Sequence, residues 1–131
     1  MLNTFKLYHV SKDLNLNKLT PRIPENIMNN ENDIEERICV SMSINGCLTA
    51  LGKYHNEDVL GVYEIEFTKE EFLEKVKQPS YKEVLDSPLT GELWILEEVL
   101  VKLLMKIKIK EIIYNKFSGL DNELVMYDLI K

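Results

Sequence analysis

The chain of 131 residues has the size of one domain, expected over residues 1–131, and can bury a core without disulfide or metal staples. With 45% hydrophobic and 29% charged residues, it has the composition of a folded globular protein, not of a disordered or collagen-like one. Against 16 basic side chains stand 22 acidic ones, for a net charge of -6; this excludes broad binding to long nucleic acid, whose affinity comes from Lys and Arg on phosphates, but leaves room for a small anion in a local pocket.

In chain order, Phe5 to Val10 alternates and is rich in aromatic and branched residues. That predicts a strand with Phe5, Leu7 and His9 on one face and Lys6, Tyr8 and Val10 on the other. Residues 11–33 read as irregular chain. Within them, Pro21-Arg22-Ile23-Pro24 holds an arginine in extended backbone between two prolines, and the polar loop Asn29 to Asp33 follows. A loop of this length in a small domain points to function. Arg37 to Met42 predicts a second strand, with Ile38, Val40 and Met42 facing one way and Arg37, Cys39 and Ser41 the other. Ile44, Cys47, Leu48 and Leu51 then recur at helical spacing, with Ser43 at the N-cap position and Gly52 just past the end.

Leu60 to Phe67 predicts a third strand. Thr68-Lys69-Glu70-Glu71 matches a capping box, and Phe72, Leu73 and Val76 mark a helix over the next ten residues. Pro79 and Pro88 bracket a connecting segment, and Gly91 to Val99 predicts one further strand. Val101 to Ile109 alternates most cleanly, with Val101, Leu103, Met105, Ile107 and Ile109 inward and Lys102, Lys106, Lys108 and Lys110 outward. The lysine row reads as the solvated face of an edge strand, with steering of a phosphate ligand as the alternative. The last fifteen residues fit helix or strand, and helix is the expectation. The fold class expected is α+β, a mostly antiparallel β-sheet with short helices in a single domain.

Two cysteines, Cys39 and Cys47, and two histidines, His9 and His55, form no CxxC pair. A structural zinc site needs four such ligands at close spacing, so neither a metal nor a cofactor is expected. Two cysteines make no disulfide framework, and a reducing compartment is the expected setting. The segment from Met1 to Lys6 lacks the apolar core of a signal peptide, and no run approaches the ~20 apolar residues of a membrane span. A soluble, unexported protein is expected.

Of the 16 basic residues, only Arg22 and Arg37 are arginines. A guanidinium offers a planar fork that matches phosphate or carboxylate. Arg37-x-x-x-Ser41-x-Ser43 puts Arg37 and Ser41 on one strand face, just before a helix whose first N–H groups and dipole favour an anion. A phosphate or pyrophosphate cradle fits this pattern; so does a capping serine beside an arginine paired with Glu35 or Glu36. Neither the P-loop nor the GxGxxG signature is present. His9 suits a structural donor or a ligand contact. Trp94, the only tryptophan, suits a core position or a stacking platform for a purine. Cys47 falls on the apolar helix face, and no Ser-His-Asp or Cys-His arrangement can be assembled.

The ordered segments Leu7-Tyr8-His9-Val10-Ser11, Leu19-Thr20-Pro21-Arg22-Ile23-Pro24, Arg37 to Leu48 and Gly91-Glu92-Leu93-Trp94-Ile95-Leu96-Glu97 resemble the first anti-Thoeris family of phage proteins, over about residues 5 to 113. That resemblance implies a non-catalytic sponge for cyclic ADP-ribose isomers made by bacterial TIR-domain proteins. It also implies action in the cytoplasm of the infected bacterial host and assembly as at least a dimer. On it, Arg22 and Arg37 become pyrophosphate contacts, Ser41 and Ser43 hydroxyl donors, and His9 and Trp94 ribose or adenine contacts. The same order of elements also resembles a reduced ADP-ribosyltransferase fold, in which His9, Ser41 and Glu97 would hold NAD. A third reading is a protein-binding inhibitor with an acidic docking surface.

Overall fold

The alternating N-terminal segment forms β1 (Thr4–Ser11), which pairs antiparallel with β4 (Val59–Thr68). The computed structural model describes residues 4–23, 35–51, 55–79, 92–117 and 120–130. The polar loop from Asn29 to Asp33, Pro24, Gly52, Pro88 and Gly91 lie outside the described residues. Strand β4 pairs in turn with β8 (Lys102–Phe117), and β8 with β9 (Leu120–Ile130), giving a four-stranded sheet in the order β1-β4-β8-β9. Two smaller sheets accompany it. One joins β2 (Lys18–Leu19) to β7 (Val99–Leu100); the other runs β3 (Ile38–Val40), β6 (Leu93–Ile95), β5 (Val76–Lys77). Strand pairs among the described residues are antiparallel, and the helices are short: α1 (Ile44–Leu51) and α2 (Lys69–Lys75). The fold is α+β with a mostly antiparallel sheet. Among the described residues, no helix is long and apolar enough to cross a membrane.

The two faces of the large sheet carry separate cores. On one, Val10, Leu60, Val62, Ile107 and Ile109 meet Cys47 and Leu48 of α1. On the other, Leu7, Ile65 and Phe67 meet Leu19, Ile38, Val40, Ile95 and Val99 of the small sheets. The alternation of β1 serves both, since its odd and even positions leave opposite faces.

The run from Val101 into β8 reaches both cores by a different device. Val62 pairs with Met105 and Tyr63 with Leu103, so Leu104 is an extra residue that bulges out and reverses the alternation. Met105 thus packs with the helix-side core and Val101 with the opposite one. The inward row read from the sequence is real, but it is divided between two cores.

Other expectations need correction. Helix α2 stops at Lys75, because Val76 pairs with Ile95 as a strand residue; Leu73 is 71% exposed and no α2 residue is buried. Tertiary pairing of a β-branched residue here overrides the helical spacing. The single strand expected over Gly91 to Val99 is two, since Ile95 pairs with Ile38 and Val99 with Leu19 in a different sheet. The C-terminal segment is strand β9, held in register along β8, rather than a helix. Strand β8 therefore lies inside the sheet, and its lysines do not mark an edge. Met42 is 54% exposed, beyond the end of β3, instead of inward.

Candidate functional site

Period two in β3 sends Ile38 and Val40 into the core and leaves Arg37, Cys39 and Ser41 on the other face. Residues opposed across an antiparallel ladder share a face. Cys39 opposes Trp94, and Trp94 opposes Lys77, so all three side chains belong to the Arg37 face. Arg37 has a cross-strand partner of its own: Arg22. The Arg22 N–H donates to the Arg37 carbonyl at 3.1 Å, and the Arg37 N–H donates to the Arg22 carbonyl at 2.9 Å. The extended, proline-flanked segment thus sets two arginines side by side.

The arginines differ in setting. Arg22 is exposed, whereas Arg37 is buried. The Arg37 guanidinium covers the Trp94 ring at 4.2 Å, and the Lys77 ammonium lies 5.2 Å from the same ring. Such contacts stabilise a cation through the ring quadrupole, more so away from water. Arg37 Nη1 also donates to the Glu35 carbonyl at 3.0 Å, while the Glu35 carboxylate takes Lys77 at 3.0 Å. Trp94 is fully buried, and its indole N–H donates to Glu92 at 2.6 Å.

His9 enters from β1. Its Nδ1 lies 2.9 Å from the Cys39 carbonyl, which can only accept, so Nδ1 carries the proton and Nε2 is left as the acceptor of the neutral ring. Burial holds the His9 pKa below the ordinary histidine value; the carbonyl bond opposes that shift, and the nearby Arg22 charge adds to it.

Ser41 is buried and bridges to β1, with Tyr8 N–H donating to its carbonyl at 2.8 Å and its own N–H donating to the Tyr8 carbonyl at 3.0 Å. Ser43 caps α1, as its position predicts: its hydroxyl accepts the Gly46 N–H at 3.0 Å. The Ser43 N–H in turn donates to the Ser41 hydroxyl at 3.3 Å. Both hydroxyls thus serve the turn as acceptors.

Arg22, Arg37, Trp94 and His9 are therefore brought into one neighbourhood, and Ser41 continues the Arg37 face towards α1, where Ser43 stands at the end of the row. Glu97 lies on the exposed turn after β6 and pairs with Lys75 at 3.3 Å. Two residues of the cluster escape a reading of the sequence. Glu92 is signalled by its two-residue spacing from Trp94; Lys77 has no signal, because it falls within a run that reads as helix. Burial pushes the Cys47 thiol up to about 12, and the Glu92 carboxylate adds to the shift. With its S–H given to the Tyr8 carbonyl at 3.0 Å, Cys47 is a packing residue and not a nucleophile. Among the described residues, no three His, Cys, Asp or Glu side chains converge as a metal site.

No family model, no curated protein and no solved structure matches this chain.

Proposed function

We propose that this protein binds a cyclic ADP-ribose isomer without cleaving it, and so withholds the signal from a TIR-dependent immune effector in the cytoplasm of an infected bacterium. The single observation that carries the reading is the Arg22–Arg37 bridge. Like charges set directly opposite across a ladder repel each other, and an anionic group between them turns that repulsion into attraction. A pyrophosphate offers several acceptor oxygens to two guanidinium forks. His9 Nε2, as an acceptor, suits a ribose hydroxyl. Trp94, covered by two cations, contributes by fixing Arg37 instead of stacking on adenine. In this reading the protein works as at least a dimer. A sponge must outcompete the effector, which calls for nanomolar affinity, about -12 kcal/mol.

Calorimetric titration with glycocyclic ADP-ribose, followed by heat release and chromatography of the ligand, tests the reading. Tight binding with intact ligand recovered supports it; no binding refutes it. The buried Glu92 favours one second reading, a transferase in which Glu92 rather than Glu97 faces the ribose. That reading requires nicotinamide release from NAD and its loss in Glu92→Gln.

A further inference from the structure

Arg37 is 1% exposed, yet a phosphate has to reach its guanidinium if the cluster holds an anion. A contact over it must therefore open. The groups around Arg37 differ in how readily they move. Trp94 is fully buried and tied to Glu92, and the Arg22 contact is a pair of backbone hydrogen bonds. Glu35 is different. Its carbonyl accepts from Arg37 Nη1 at 3.0 Å, its carboxylate accepts from Lys77 Nζ at 3.0 Å, and its side chain is 36% exposed.

Strand β6 lies between β3 and β5 in the small sheet. Lys77 stands on β5 and Glu35 precedes β3, so their ion pair crosses the middle strand on the face that carries Trp94. The Lys77 end is 39% exposed and borders an open groove of about 250 Å³, lined also by Val76 and Leu96. Solvent thus has access to the ion pair, although not to the guanidinium beneath. Charges so exposed favour each other by about fivefold or less in an equilibrium constant. A pyrophosphate carries more charge than one carboxylate and more acceptor oxygens, and so competes with advantage for the same ammonium. A lone carboxylate would exchange like for like and gain nothing.

We propose that Glu35 is a built-in counter-ion: its carboxylate straps Lys77 across Trp94 until a pyrophosphate group displaces it, uncovering Arg37 and taking Lys77 as a third cation beside Arg22 and Arg37. The inference rests on the reading of this cluster as an anion site, and adds to it a binding residue and the contact that closes it.

Two substitutions of half-exposed side chains test the strap with opposite signs. Glu35→Gln keeps the size of the side chain and removes the charge that holds Lys77. Lys77→Met keeps a stem of similar length beside Trp94 and removes the ammonium. The full chain is titrated with inorganic pyrophosphate and, separately, with glycocyclic ADP-ribose, by calorimetry and by the fluorescence of Trp94. Glu35→Gln should bind about three- to tenfold more tightly than the unaltered protein. Lys77→Met should bind about tenfold more weakly. In the double variant the gain from Glu35→Gln should shrink, because the cation it releases is gone. An ion pair that serves only the fold predicts one sign for both variants. Equal or weaker binding of both probes by Glu35→Gln, or full affinity in Lys77→Met, overturns the proposal. Opposite signs with pyrophosphate but no binding of glycocyclic ADP-ribose would keep the strap and remove that ligand. Tight glycocyclic ADP-ribose binding that Glu35→Gln fails to strengthen would keep the ligand and remove the strap.

Discussion

Arg37 and Trp94 form one buried unit: the guanidinium lies 4.2 Å from the ring centre, with the two side chains 1% and 0% exposed. An arginine so placed shapes the floor of the site as much as it supplies charge. Its removal therefore affects folding as well as binding.

Arg37→Ala should destabilise the fold by about 2–4 kcal/mol, because it opens a cavity over Trp94 and removes the cation–π contact. Urea denaturation followed by tryptophan fluorescence reads this directly. A midpoint equal to that of the unaltered protein would show that Trp94 does not need the guanidinium.

Arg22→Ala separates charge from packing. Arg22 is exposed, so its loss should change stability by no more than about 0.5 kcal/mol. Affinity for the cyclic ADP-ribose ligand should fall by roughly 1.5–3 kcal/mol, the range for a hydrogen bond to a charged group. Full affinity in calorimetry would remove Arg22 from the site.

His9 makes stability depend on pH. Its pKa is lowered in the folded state, so below the ordinary histidine value the unfolded chain takes up a proton that the folded chain refuses. Its contribution to stability is then complete above that value and declines as pH falls through the interval down to the folded-state pKa. Denaturation midpoints measured from pH 8 to pH 5 should show this decline, and His9→Asn should lack that part of it.

Gly61 marks a place where β4 has no room. A Cβ there would stand 3.0 Å from Cε2 of Tyr63 and 3.2 Å from Cδ1 of Leu103. The Tyr63 ring has little freedom to yield, since its hydroxyl donates to the Asp13 carbonyl at 2.6 Å and accepts the Leu16 N–H at 3.1 Å. Gly61→Ala should lower stability by about 1–3 kcal/mol, the usual cost of overpacking. Tyr63→Phe, which cuts that tether, should make Gly61→Ala less costly in a double-mutant cycle; an unchanged cost would show that the hydroxyl bonds do not hold the ring in place.

Trp94→Phe keeps the aromatic face under Arg37 but deletes the indole N–H that reaches Glu92 at 2.6 Å. The loss from a buried carboxylate should cost about 1–3 kcal/mol. Adding Glu92→Gln, which removes the charge, should recover part of that cost in thermal denaturation.

The sequence makes β1, β3, α1, β4 and the start of α2 legible, because each combines a clear period with a cap or a flanking turn residue. The Ser43 cap and the capping box of Thr68 and Glu71 both form as their spacing predicts. What escapes is set by partners distant in the chain. Val76 leaves the helical pattern because Ile95 offers it a ladder, and Val99 changes sheets to meet Leu19. The C-terminal strand had a local cue in Ser118-Gly119, a turn dipeptide between two apolar runs. In the candidate site, residue types and faces are readable, but the approach of Arg22 to Arg37 is not: no period links a proline-flanked loop to a strand 15 positions further on.

The bulge at Leu104 has a consequence for how the molecule comes apart. Because the run from Val101 through β8 contributes to the cores on both faces of the sheet, neither core can be lost while the other keeps its wall. Melting should then be cooperative, with calorimetric and van't Hoff enthalpies in agreement. Amide exchange at Val62 and at Ile65, one beside each core, should slow to the same opening free energy, as in a single unit that opens only as a whole.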